Sequence, residues 1–442
     1  MEIIILALLL PFAAAALWPT ATRDSGAPAC HEVSASIGSH MVLQRAPESA
    51  RIFGSVCGGL ANATSVSVDI DGGAPITVPI VAGATSWAVS LPPQPASLAP
   101  RTLRVRGGES FVQTIDDVLF GDVILCSGQS NMVFSVNQMT GARDEIARAN
   151  ASRFRAIRLF TVAPRTASAP AADPVVMQPW QLANSESVGG GAASVAFTYF
   201  SAVCWLQGSH LFDRLGGSVP LGLITSAVGG TRIHCWSSPD ALGQCPQYLP
   251  PRAVSSGDSD LFNSMIAPLL SMRLKFIVWL QSESDVCASD ASCIPQRGAR
   301  YYSCAIQAMV RDWRAKFNAT SPALPFIWVQ IAPWEGHEAA TTSRALPAMR
   351  LAQMAANALP RVAMATAVDL GSAANAKGWN TGDEHGPDPW GNVHFRRKGP
   401  LGPRLSAAAL AVVYGNASVP YRGPEAERVS TIARPCEVSV RL

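Results

Sequence analysis

From Val118 onward the chain alternates short apolar runs with longer helix-like stretches, and this rhythm limits the possible folds more than any other feature. The apolar runs are 118–125, 157–162, 220–225, 275–281, 325–331 and 362–368. Runs so short and so uniformly apolar suit strands covered on both faces. Between them lie helix-like segments at 142–148, 197–215, 300–317 and 346–358. Strands alternating with helices predict an α/β fold with a mostly parallel sheet and helices on both faces. A last helix, 403–413, opens on a proline, which the first helical position tolerates, and stops at Gly415.

The residues before Val118 follow a different period. Val66, Val68 and Ile70 alternate with polar residues and run into Asp71-Gly72-Gly73; Ile76, Val78 and Ile80 alternate beyond it, as in a hairpin. Leu103 and Val105 alternate before Gly107-Gly108. A small N-terminal β domain is therefore expected over 30–117, the α/β domain over 118–415, and a short extension over 416–442, too few residues for a domain of their own. No constellation of His and carboxylates falls within 30–117, so that part is assigned to packing or carbohydrate contact.

Residues 1–17 read as a signal peptide: Ile3 to Leu17 is apolar, Pro11 interrupts it, and small residues Ala13 to Ala16 follow, although the start carries Glu2 and no Lys or Arg. About 20 apolar residues are needed to span a bilayer, and no later stretch reaches that length, so no integral membrane span is expected in the mature chain. Asn-x-Ser/Thr sequons begin at Asn62, Asn150, Asn318 and Asn416. Of the ten cysteines, which show no paired C-x-x-C spacing, several read as disulfides. Cys235 with Cys245 and Cys287 with Cys293 are the local candidates, and Cys126 reads as a buried thiol. A net charge of +3 with no basic run argues against a nucleic-acid partner.

Four polar stretches follow apolar runs. Gly128-Gln129-Ser130-Asn131 comes directly after the first, where open α/β sheets carry their sites and where an exposed serine can act as nucleophile. Gly229-Gly230-Thr231 lets backbone approach a ligand closely, so the Gly230 N–H is a candidate oxyanion donor. Trp279-Leu280-Gln281-Ser282-Glu283-Ser284-Asp285 gathers polar side chains and carboxylates after a buried run. Gly391-Asn392-Val393-His394-Phe395 places His394 before the last helix, suited to a general base.

Cys126-Ser127-Gly128-Gln129-Ser130-Asn131-Met132, Gly229-Gly230-Thr231 with Trp236, and Trp279, Gln281 and Glu283 together resemble the sialate O-acetylesterase family of the SGNH/GDSL hydrolases. Met41-Val42-Leu43-Gln44, Asp312-Trp313-Arg314 and Val393 to Lys398 extend the likeness, which covers roughly residues 35 to 415. The resemblance implies a three-layer α/β SGNH fold and hydrolysis of O-acetyl groups on sialic acids in a secreted or lysosomal setting. It implies Ser130 as nucleophile and His394 as base, with Gly230 and Gln281 in the oxyanion hole and no metal or other cofactor. Many relatives carry Asp three residues before the His; here that position is Gly391, so the orienting acid comes from elsewhere, with Asp388 the candidate, or is absent. The family's Gln-Gly-Glu is Gln281-Ser282-Glu283 here, and a side chain at 282 is expected to crowd the hole. The acyl-transfer machinery does not distinguish acetylated sialic acid from another acetylated glycan, nor does it exclude a silent carbohydrate-binding relative.

Overall fold

The computed structural model describes residues 22–23, 30–108, 110–190, 197–245, 257–286, 295–317, 324–334, 339–371, 393–423, 428–431 and 438–441. The stretch read as a signal peptide lies outside them, as do Asp388, Gly391, Cys287, Cys293 and Asn318.

The N-terminal strands are β1 (Val42–Gln44), β2 (Arg51–Ser55), β3 (Ser65–Ile70), β4 (Ile76–Pro79), β5 (Ser86–Ser90) and β6 (Ser97–Gly107). β3 and β4 form the expected hairpin. Asp71 and Gly72 both have positive φ, 54° and 73°, and the Gly73 N–H donates to the Ile70 carbonyl at 3.0 Å. That is the type I′ geometry whose twist matches the strands it joins. β2 and β5 pair apart from the rest as a two-stranded sheet.

β7 (Phe111–Gly128) is 18 residues long and joins the two patterns. Its first half pairs antiparallel with β6, and β1 lies parallel to it from Leu119 to Gly121. Its second half is the centre of a second array made with β8 (Ile157–Val162), β9 (Val176–Leu182), β10 (Leu221–Ala227), β11 (Phe276–Leu280), β12 (Phe326–Gln330) and β13 (Val362–Thr366). The order is β9-β8-β10-β7-β11-β12-β13, parallel throughout except for β9. One continuous strand therefore crosses residues 117 and 118.

Six of these strands sit where the apolar runs predict them; β9, which alternates exposure and carries two register shifts at the sheet edge, was not foreseen. Edge strands of this kind are short of apolar residues because only one face is covered.

The covering helices are α1 (Ser130–Val133), α2 (Ala142–Ala149), α3 (Ala202–Arg214), α4 (Pro295–Lys316), α5 (Ala339–Met354) and α6 (Leu401–Val412). α3 starts five residues later than the 197–215 reading because Ser201 caps it, accepting from the Cys204 N–H. α6 starts at Leu401, so Pro403 stands inside the first turn instead of opening it; N–H groups there lack intrahelical partners in any case. α3 and α4 lie on opposite faces of the sheet. Cys126 of β7 is bonded to Cys204 of α3, whereas Trp279, paired with Ser127 and so pointing the other way, packs edge-on against Trp313 of α4 with ring centroids 5.7 Å apart. Buried Trp205, Trp236, Trp279, Trp313 and Trp328 supply much of the core volume around these layers.

The structure overturns one of the local pairs expected, Cys235 with Cys245; the other, Cys287 with Cys293, lies outside the described residues. Among the described residues the disulfides are Cys30–Cys57, Cys126–Cys204 and Cys245–Cys304. Cys126 is thus half of a bridge, not a thiol, and Cys245 reaches α4 instead of Cys235, which is unpaired among the described residues. Bridges form between cysteines that tertiary packing brings within about 7 Å, irrespective of separation along the chain. Asn62, Asn150 and Asn416 are exposed. Among the described residues no helix is long and apolar enough to cross a membrane.

Candidate active site

The sheet order reverses at β7: the chain leaves it toward β8 on one side and later returns to β11 on the other. In open α/β sheets such a switch point opens a crevice beyond the carboxyl ends of the strands. Gly128 ends β7 between the ends of β10 and β11. Its φ is +144°, and a Cβ there would stand 2.0 Å from the Leu280 carbonyl oxygen, so only glycine fits. The Val228 N–H donates to the Gly128 carbonyl (3.1 Å) and the Gln129 N–H to the Leu280 carbonyl (3.0 Å), fixing the turn to both neighbours.

Ser130 follows as the first residue of α1 and is 2% exposed. The Gln129 Nε2 lies 3.4 Å from its Oγ. In the loop after β10, Gly230 is exposed at φ +72° with open space where a Cβ would stand. Thr231 stabilises that turn: its hydroxyl donates to the Val228 carbonyl (2.8 Å) and accepts from the Trp236 indole N–H (2.9 Å).

Gln281 is fully buried. Its Nε2 faces Gln129 Oε1 (3.0 Å), the Thr231 carbonyl (3.0 Å) and Asp285 Oδ2 (2.7 Å). Two N–H groups are shared among three acceptors, so this amide braces the loops after β7, β10 and β11. Asp285 also accepts from the Ile233 N–H at 3.0 Å. Burial pushes its carboxyl above the usual range, countered by Gln281, His234 and Arg232.

Ser282 has φ +152° and no exposure, and among the described residues its Oγ finds no hydrogen-bond partner. A non-glycine residue in that conformation is strained. Glu283 is also buried; its Oε1 accepts from Asn131 Nδ2 at 2.6 Å. Desolvation raises the Glu283 pKa, against the pull of Asn131 and Lys398.

His394 is 8% exposed, and its ring meets Phe197 edge-on with centroids 5.8 Å apart; Phe197 in turn meets Phe134, which follows α1. The Val393 carbonyl, one residue before the imidazole, accepts from Asn131 Nδ2 at 2.9 Å. The neighbours of Ser130 and His394 in the chain are therefore in direct contact. Asp388 lies outside the described residues.

Sequence reasoning named Ser130, Gly230, Gln281 and His394 but passed over Asn131 and Lys398. Lys398 is fully buried, with Nζ 2.6 Å from Asn131 Oδ1 and 3.4 Å from the centre of the Phe395 ring. The available signal was a lysine four residues past the histidine in a segment otherwise entering a helix.

Among the described residues no group of three or more His, Cys, Asp or Glu side chains is placed to hold a metal ion. A cavity of about 200 Å³ lies at the other end of the sheet, lined in part by Arg273, Lys275 and Arg361, and contains none of the candidate site residues.

Comparison with known proteins places the chain in a family. The family model described as carbohydrate esterase, sialic acid-specific acetylesterase matches residues 120–382. The sialate O-acetylesterases of Pongo abelii and Homo sapiens are each 32% identical to the chain over 457 residues, covering 97% of it and 79% of their own length. The crystal structure of a carbohydrate acetylesterase from Xanthomonas citri superposes with a TM-score of 0.70 at 29% identity, covering 91% of this chain and 79% of that one. The α/β sheet beginning at β7, the serine at its carboxyl end and these matches converge, and the chain belongs to the sialic acid-specific acetylesterase family of carbohydrate esterases.

Proposed function

We propose that the protein is a serine esterase that removes O-acetyl groups from sialic acids through an acetyl-enzyme. The observation that carries this reading is the Asn131–Val393 hydrogen bond, which draws the serine turn and the histidine segment to one place.

In the reaction His394 takes the Ser130 proton as Oγ attacks the acetyl carbonyl. The tetrahedral oxyanion then faces the Ser130 and Gly230 N–H groups, and the sugar hydroxyl leaves with the proton from His394. Water enters by the same steps to release acetate. As the first helical residue, Ser130 has an N–H with no acceptor inside its own helix. Gln281, expected in the oxyanion hole, is buried with its amide N–H groups committed to Gln129, Thr231 and Asp285, so in this scheme it holds the two donor loops together instead of donating to the oxyanion; Asp388 is the candidate to orient His394. Each oxyanion donor is worth ~100- to 1000-fold in turnover.

The test is acetate release from 9-O-acetyl sialic acid by the wild type and by Ser130→Ala. Loss of turnover by roughly 10⁴-fold or more is expected, and equal rates would remove Ser130 from the mechanism. The Xanthomonas citri neighbour favours a second reading, another acetylated carbohydrate as substrate. Preference for acetylated xylan over 9-O-acetyl sialic acid would select it. The strained Ser282 favours a silent binding relative, which p-nitrophenyl acetate turnover equal to background in both proteins would establish.

Three disulfides, exposed sequon asparagines and the apolar N-terminal stretch support passage through the secretory pathway, with a secreted or lysosomal destination. The substrate partner is an acetylated glycan, not a nucleic acid.

A further inference from the structure

Asn131 stands at the meeting point of three segments. Its Nδ2 donates to Glu283 Oε1 (2.6 Å) and to the Val393 carbonyl (2.9 Å), and its Oδ1 accepts from Lys398 Nζ (2.6 Å). The residue after the serine thus grips the residue before the histidine and the residue four places beyond it. All three side chains are at least nine-tenths buried, so each bond acts in a water-poor setting where an unmade one is costly.

The charges set the direction of the amide. Turned over, it would present N–H groups to the Lys398 ammonium and its oxygen to the Glu283 carboxylate, both repulsive. Lys398 itself cannot drift, because its ammonium lies over the Phe395 ring at 3.4 Å and near the Phe134 ring at 4.8 Å. Further bonds fasten the same segment to the turn after α1: Arg396 Nε donates to the Gln138 carbonyl (3.1 Å), and the Thr140 N–H donates to the Arg396 carbonyl (3.0 Å).

We propose that Lys398 and Glu283 are positioning residues that act through Asn131, clamping the segment of His394 to the turn of Ser130 and so setting the spacing of base and nucleophile. This rests on the serine esterase reading above. The clamp does not touch substrate, so its loss slows the chemical step and leaves substrate binding in place.

The experiment uses the full chain. Ser130 is labelled with a fluorophosphonate, a reaction in which the Oγ–P bond forms, fluoride leaves and His394 takes the hydroxyl proton; it reads the Ser–His pair without regard to the natural sugar. kcat and KM for 9-O-acetyl sialic acid are measured beside it. In Lys398→Met and in the isosteric Asn131→Asp, labelling and kcat are expected to fall ~10- to 100-fold, as for a reacting group displaced by about 1 Å, with KM within about threefold of wild type.

Wild-type labelling and KM–kcat values in both variants would overturn the clamp while leaving the esterase intact. A KM rise with kcat unchanged would also overturn it, by moving these residues to substrate binding. A wild type that neither labels at Ser130 nor releases acetate would overturn the esterase reading, a different failure. If Lys398→Met does not fold, Asn131→Asp decides alone.

Discussion

The two halves of β7 obey different rules. From Phe111 to Asp117 exposed side chains alternate with half-buried or buried ones, as expected of a strand with one face in water, and its partner β6 runs antiparallel. From Val118 to Gly128 every residue is buried, and the partners β10 and β11 run parallel. Between them Asp117 has φ +53° and is held by Arg158 through two hydrogen bonds of 2.6 and 3.1 Å. One length of chain thus serves as a sheet edge facing solvent and then as the spine of a three-layer core. The contrast teaches that burial on both faces is what aims the end of the strand: the turn at Gly128 has no freedom because both neighbours grip it.

The sharpest way to break the comparison is Gly128→Ala. A methyl group 2.0 Å from the Leu280 oxygen must push β7 from β11, so acetate release should be lost even where circular dichroism still reports a folded sheet. The exposed half holds no glycine. Next in size, Ile115→Ala and Leu125→Ala each delete a side chain no more than 1% exposed and should cost about 2–5 kcal/mol by denaturant unfolding. Ile115→Ala should keep wild-type kcat when folded, whereas Leu125→Ala should lower it; equal kcat in both would erase the functional difference between the halves.

Asp117→Asn tests the junction. Burial raises this carboxyl, but Arg158 and His40 overcome it and hold the pKa below the usual aspartate value. A depressed folded pKa stabilises above the unfolded pKa of about 3.9 and loses that contribution as pH falls through the folded value. The stability difference between wild type and Asp117→Asn should therefore be full at pH 7 and shrink in acid. A constant difference would show that the ion pair contributes nothing.

Beyond the buried half, Ser282→Gly should relieve a strained backbone, offset in part by glycine's unfolded-state entropy, for a gain of ~1 kcal/mol. The smallest effect belongs to Val112→Thr, at a residue 58% exposed on the solvated half, where stability should change by less than about 0.5 kcal/mol.

Much of the fold was legible because parallel strands covered on both faces must be apolar along their length: the run at 157–162 coincides with β8, and β10 to β13 lie within two residues of their runs. The serine turn was legible for the same reason, since a polar Gly-Gln-Ser-Asn after such a run has to emerge at a strand end. β9 escaped because an edge strand carries only a half-apolar, bulged pattern. Lys398 escaped because a lone lysine reads as solvated until its burial is known.

The sequence by itself determined where the buried parallel strands lie and which serine follows the central strand, because those follow from local periodicity and steric limits. Only the tertiary structure decided that Cys126 reaches Cys204, that Gln281 points its amide at Gln129, Thr231 and Asp285, and that Asn131 joins Glu283, Val393 and Lys398. Those pairings link residues far apart in the chain, and nothing in local sequence encodes which distant groups packing will bring within bonding distance.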